Sequence, residues 1–201
     1  TNIRTLGIGE NLKGIGNWAF YGCGGLNSVT LGNGLEEIGK YAFADCINIT
    51  TFDIPFLSNI TYIADYAFQN CRALTTFILP ASVQYIYDHA FDGCVALANV
   101  DISGKSQGEN VNLKDIGYYV FKGCTSLTDI RIPYSFVGDT DNPSTLVLNN
   151  FKDCSNLRRI EVQTAPSALS STIEIEPTTE YDGDRFTTDM FKAGVHETFY
   201  F

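Results

Sequence analysis

Six cysteines, two histidines and 23 acidic side chains are the groups in this 201-residue chain that could do chemistry. Only His89 and His196 could act as bases near neutral pH, and neither lies in a recognisable catalytic motif. An enzyme built on either would need a pocket that sets the imidazole beside a carboxylate. No phosphate-binding loop, dinucleotide fingerprint or zinc-protease helix motif occurs. Two acidic runs, Asp139, Asp141 and Asn142, and Glu180, Asp182 and Asp184, offer oxygen ligands of the kind calcium takes. Neither has the twelve-residue EF-hand spacing, and a solvated loop explains both. Six cysteines form an even set that could be a disulfide framework, or a metal site, although no two are close in sequence.

The spacing of those cysteines leads to the elements that carry them. Each follows a Phe by three residues: Phe20/Cys23, Phe43/Cys46, Phe68/Cys71, Phe91/Cys94, Phe121/Cys124 and Phe151/Cys154. Five residues before each Phe stands Ile15, Ile38, Ile63, Ile86, Ile116 or Leu146. Three residues after each Cys stands Leu26, Ile49, Leu74, Leu97, Leu127 or Leu157. Each unit ends on an alternating apolar pair: Val29/Leu31, Phe52/Ile54, Phe77/Leu79, Val100/Ile102, Ile130/Ile132 and Ile160/Val162. That ending has the period-two pattern of a strand with one buried face. The apolar residues upstream recur about every three positions, which suits short 3-10 or single-turn helical segments better than a long helix. Such a unit cannot bury its apolar side alone, so units must stack into a solenoid.

Stacking bears on the thiols. Equivalent positions on successive turns lie about 4.8 Å apart with parallel Cβ vectors, whereas a disulfide needs converging Cβ atoms about 3.8 Å apart. A buried ladder of reduced thiols, Cys23, Cys46, Cys71, Cys94, Cys124 and Cys154, acting as small hydrophobes, therefore fits better than a disulfide set.

The repeat resembles the BspA-like bacterial leucine-rich repeat. The match is nearly position for position from Leu74 through Pro80, Val83 and Ile86 to Ala90, Phe91 and Cys94. It covers about residues 3–163. The resemblance implies a right-handed leucine-rich-repeat solenoid of the α/β repeat class, with a parallel sheet on one face and short helical or 3-10 turns on the other. It also implies a bacterial surface or secreted protein, several relatives being linked to adhesion to host proteins.

We expect about six repeats over 1–163, the first entered mid-repeat at Ile3. An insertion and a degenerate capping repeat, in one continuous solenoid, are expected over 164–201, with a strand-like run at Thr172–Glu176 and another at 196–201. Successive repeat Phe residues are 23, 25, 23, 30 and 30 apart, the extra residues forming polar loops near 104–110 and 134–143. Net charge is −10, which disfavours nucleic acid and anionic membranes. No apolar run reaches the roughly 18 residues of a membrane span, and no cofactor is expected.

Two surfaces could bind a partner. Residues flanking the inward pairs must point outward: among them Thr30, Asp53, Ile78, Asp101, Asp129, Arg131, Arg159 and Glu161. An ordinary wet sheet face is the alternative for this strip, in which Ile78 is the apolar exception. The second surface is the column two residues before each Phe, Trp18, Tyr41, Tyr66, His89 and Tyr119, which could stack on sugars or simply pack on itself. The expected function is a non-enzymatic, adhesin-like interaction module for a protein, a host extracellular protein among the candidates, or a glycan. The alternative is a passive spacer within a longer surface protein.

Overall fold

The computed structural model describes residues 3–55, 58–102, 113–133, 148–163, 171–176 and 199–200, with the backbone alone for 148, 161–163, 171–176 and 199–200. The loops near 104–110 and 134–143, both acidic runs, Leu146 and His196 lie outside these residues. Each repeat contributes two short strands to two separate columns. The first column holds β1 (Thr5–Gly7), β3 (Ser28–Thr30), β5 (Thr51–Asp53), β7 (Thr76–Ile78), β9 (Asn99–Asp101), β11 (Asp129–Pro133) and β12 (Arg159–Gln163). The second holds β2 (Gly14–Ile15), β4 (Glu37–Ile38), β6 (Tyr62–Ile63), β8 (Tyr85–Ile86) and β10 (Asp115–Ile116). Except between β5 and β7, neighbours within these two columns pair in parallel, with equivalent repeat positions in register.

The first column divides into β1-β3-β5 and a sheet that starts at β7. The division falls in the 25-residue repeat, between Phe43 and Phe68. At the other end, β13 (Ser171–Glu176) pairs antiparallel with β12, and β14 (Phe199–Tyr200) pairs parallel with β13.

The inward side chains form one core. Val29, Phe77, Val100, Ile130 and Ile160 from the first column meet Ile38, Ile63, Ile86 and Ile116 from the second, with Leu26, Ile49, Leu74, Leu97, Leu127 and Leu157 between. Phe20, Phe43, Phe68, Phe91, Phe121 and Phe151 stack ring on ring, with centroids 5.2–6.0 Å apart. Phe52 and Phe77 meet this stack edge-on.

The side opposite the first column differs from the helical turns expected. Among the described residues, one 3-10 segment occurs, Leu148–Phe151. Elsewhere the chain makes overlapping three-residue turns: Ala19 N, Tyr21 N and Cys23 N donate to Gly16, Trp18 and Phe20 carbonyls. Alternate amides turn outward to the next coil, so Trp18, Phe20 and Gly22 donate to the carbonyls of Lys40, Ala42 and Ala44. A helix would have used all of these donors internally. Left-handed φ values at two positions per repeat enforce the alternation. One position is Trp18, Tyr41, Tyr66, His89 and Tyr119 (φ 54–57°), and the other is Gly22, Asp45, Asn70, Gly93, Gly123 and Asp153.

Candidate functional site

The thiols are placed by these turns. Cys46, Cys71, Cys94, Cys124 and Cys154 are buried, Cys23 is half-buried, and all six are unpaired. Each buried Sγ–H donates to the carbonyl of a preceding repeat's Phe: Cys46 to Phe20 (3.0 Å), Cys71 to Phe43 (3.2 Å), Cys94 to Phe68 (3.1 Å), Cys124 to Phe91 (3.3 Å) and Cys154 to Phe121 (3.0 Å). The same carbonyls take the amide of the Cys in their own repeat. A thiol here is thus a weak donor spanning two coils, beyond the small hydrophobe that spacing suggests. Burial pushes Cys46, Cys94 and Cys154 up to about 12, and carries Cys71 and Cys124 well above the ordinary thiol range. Such thiols stay protonated and inert in the folded protein.

The aromatic column is a continuous stack. Trp18–Tyr41, Tyr41–Tyr66, Tyr66–His89 and His89–Tyr119 have centroids 5.4, 4.7, 4.7 and 5.1 Å apart and planes within 23° of parallel. Both faces of Tyr41, Tyr66 and His89 are occupied by neighbouring rings, so these three cannot stack on a sugar. Lys122 Nζ lies 5.9 Å from the Tyr119 ring centroid. His89 is not isolated: its Nδ1 sits 2.8 Å from Asp92 Oδ2. That contact lies within one turn, whose Asp92 amide also donates to the His89 carbonyl. Among the described residues, no group of three or more His, Cys, Asp or Glu side chains could hold a metal ion.

The sheet face gathers most of its candidates in one place. A depression of about 370 Å³ over β7, β9, β11 and β12 is lined by Thr76, Ile78, Asn99, Asp101, Asp129, Arg131 and Arg159, with backbone beneath. Ile78 is 53% exposed. Arg131 Nη1 lies 3.9 Å from Asp101 Oδ2, and Arg159 Nε donates to Asp129 Oδ1 at 2.5 Å. Asp101, expected to be open to solvent, is only 9% exposed, the Arg131 guanidinium being one of its neighbours. Thr30 and Asp53 are exposed but lie in the separate sheet that ends at β5. Glu161 falls beside Arg131 in the β11–β12 register, and its side chain lies outside the described ones. In the backbone register Arg131 pairs with Asp101 and Glu161, and Arg159 with Asp129 and Glu174. Opposite charges directly across a sheet favour that register.

A second concavity was not expected from the sequence. It lies on the β2–β10 column and is lined by Asn17, Gly39, Lys40, Tyr62, Ala64, Asp65 and Tyr87. The signal that could have found it is a break in the repeat. The residue after each buried Ile is Gly16, Gly39, Ala64, Tyr87 and Gly117, and Tyr87 is the outlier.

The parallel two-column solenoid defines the class, and sequence comparison supplies the family. The profile of the BspA type leucine-rich repeat region matches six copies over residues 1–111 and 107–174. The chain belongs to this BspA-type leucine-rich repeat family. Among solved structures it is similar to the T. pallidum leucine-rich repeat protein TpLRR, at 25% identity and a TM-score of 0.66, over 80% of this chain and 70% of that one. It is also similar in fold to the pneumococcal vaccine antigen PcpA, at 20% identity and a TM-score of 0.58, over 81% of this chain and 37% of that one. No curated protein sequence gives a significant match. Among the described residues, no helix is long and apolar enough to cross a membrane.

Proposed function

We propose that this chain is a non-enzymatic, cell-surface or secreted interaction module that captures a macromolecular partner, most simply a protein, on the outer face of β7, β9, β11 and β12. The observation that carries this reading is the depression around Ile78. There an apolar side chain stands exposed in a polar row, and two half-exposed arginines lie on neighbouring strands of a chain with net charge −10. A sheet of regular strands holds these side chains at fixed spacings, and the preorganisation lowers the entropy lost on binding. Arginine and exposed apolar side chains are also the types that anchor protein interfaces. The family supports an extracellular setting.

The test is quantitative binding of the purified chain to a panel of extracellular-matrix, serum and host-surface proteins. At least one saturable complex is expected, weakened about tenfold or more by Ile78→Thr or Arg159→Ala. Ile78→Thr keeps a β-branched residue like Thr30, which holds the equivalent position on β3, so the fold is preserved. An empty panel, or binding indifferent to both substitutions, would overturn the assignment.

A further inference from the structure

The concavity beside Tyr87 is a consequence of where the repeat is broken. In the β2–β10 column the small residues Gly39 and Ala64 leave the backbone uncovered, and in the next coil Tyr87 rises as a wall, 43% exposed. Tyr62 stands at the position filled elsewhere by Gly14, Glu37, Tyr85 and Asp115. Its ring meets Tyr87 at 5.8 Å, tilted by 58°. Tyr85 packs parallel to Tyr87 at 6.2 Å without lining the cavity, so the Tyr87 ring is held in place. The Tyr62 hydroxyl is anchored as well, donating to Glu37 Oε2 at 2.8 Å. Neither tyrosine is part of the buried core, and at the Tyr87 position the repeats with Gly16, Gly39, Ala64 and Gly117 do without an aromatic ring.

The polar groups around this wall narrow the choice of ligand. Lys40 Nζ and Asp65 Oδ2 are 2.6 Å apart, so the charges at the rim neutralise each other. A charged ligand would have to compete with that pair. Asn17 Oδ1 accepts from Lys40 N at 2.8 Å, which turns the amide NH₂ into the group left to donate. Asp65 Oδ1 accepts from Asp88 N at 3.2 Å and, as a carboxylate, keeps further acceptor capacity. The volume is about 400 Å³, within the roughly 300–1,000 Å³ usual for small-ligand sites. Fixed aromatic rings beside neutral donors and acceptors suit a ligand with one apolar face and a rim of hydroxyls. A purely apolar ligand would leave the Asn17 and Asp65 groups unsatisfied.

We propose that the trough between Tyr62, Tyr87, Asn17 and Asp65 binds a neutral pyranose sugar, the ring carbons lying on Tyr87 and the hydroxyls bonding Asn17 and Asp65. This site is separate from the sheet face and does not depend on it. The test is saturation-transfer NMR on the full chain with maltose, cellobiose, lactose and N,N′-diacetylchitobiose. At least one should receive saturation at its ring protons. Tyr87→Ala should weaken that binding about tenfold, the loss of one aromatic contact and its buried area. The substitution restores the small residue used at Ala64, so the solenoid persists, as circular dichroism would verify. Ile78→Thr should leave sugar binding unchanged. The proposal is overturned if none of the four sugars receives saturation or if transfer is equal in Tyr87→Ala. It is likewise overturned if a proline-rich peptide, the other ligand suited to aromatic walls, binds through Tyr87 when the sugars do not.

Discussion

Raising the pH above 9 should unfold this protein steeply, and the buried thiols are the reason. Their folded values stand above the ordinary 9.0: about 12 for Cys46, Cys94 and Cys154, and well above it for Cys71 and Cys124. A group whose value is raised on folding contributes stability that is complete below its unfolded value. That stability is lost as pH climbs toward the folded value, because the unfolded chain releases its proton first. At pH 10 each such thiol has lost about 1–2 kcal/mol, and five together about 7 kcal/mol. The limiting slope is also about 7 kcal/mol per pH unit. Domains of this size are stable by about 5–15 kcal/mol, so the loss consumes most or all of the margin between pH 9 and 10.5. Tyr62, raised to about 12 by its bond to Glu37 and by burial, pushes in the same direction above pH 10.

Guanidinium unfolding followed by far-ultraviolet circular dichroism, with reductant present, at pH 7.5, 9, 9.5 and 10 would measure this loss. Thiolate absorbance would report ionisation separately. Unfolding and thiolate formation should rise together, with almost no native thiolate from the five buried cysteines at pH 9. Replacing Cys94 by Ala lowers the baseline but should also reduce the pH slope by about one fifth, which a purely structural defect would not do. Stability that stays level from pH 8 to 10, or thiolate absorbance that grows while the fold is intact, would refute the reasoning.

The left-handed column supplies a second prediction: Tyr66→Gly should be less damaging than Tyr66→Ala by about 1 kcal/mol, as read from denaturation midpoints. Both lose the same two stacking partners, but only Gly relieves φ 57°; equal losses would show that the backbone there is unstrained. Two glycines in successive repeats should also behave in opposite ways. A Cβ on Gly39 would lie 2.6 Å from Asn17 Oδ1 and 2.7 Å from Asn17 N, whereas one on Gly16 meets nothing within 4 Å. Gly39→Ala should therefore destabilise by about 1–3 kcal/mol and Gly16→Ala by less than about 0.5 kcal/mol, an ordering that thermal denaturation of the two variants would check.

What the sequence made legible was whatever repeats. The Phe–Cys spacing, the inward pairs and the Ile positions each state one structural requirement five or six times, and stacking in register turns that repetition directly into a core. The turns behind the sheet were harder to read, because apolar spacing of about three suits a 3-10 turn and a chain of overlapping turns equally. The left-handed residues that decide between them include Trp18, Tyr41 and Tyr66, types that carry no such signal. Cross-coil hydrogen bonds were equally hidden: nothing about Cys46 as a residue type indicates that its hydrogen points to the Phe20 carbonyl. Similarly, strand alternation sets Asp101 outward but says nothing of how exposed it is, and Arg131 one strand away is among the neighbours that cover it.

The regularity that builds the scaffold also limits where recognition can be written. A position that must stack on its own equivalent in the next coil is constrained on two sides, as the ring-on-ring column from Trp18 to Tyr119 shows by occupying its own faces. Freedom to recognise something else is left where a residue departs from its column without entering the core. Ile78 among Thr30, Asp53 and Asp101 is one such departure, and Tyr87 among Gly39, Ala64 and Gly117 is another. Both are more than 40% exposed, and each lines a concavity of a few hundred cubic ångströms. Exposing a large apolar side chain gains nothing for folding, and in both places the neighbouring repeats show that the fold accepts a smaller or more polar residue. On that argument we propose the two departures, on different faces of one solenoid, as the places where the specificity of this chain is written.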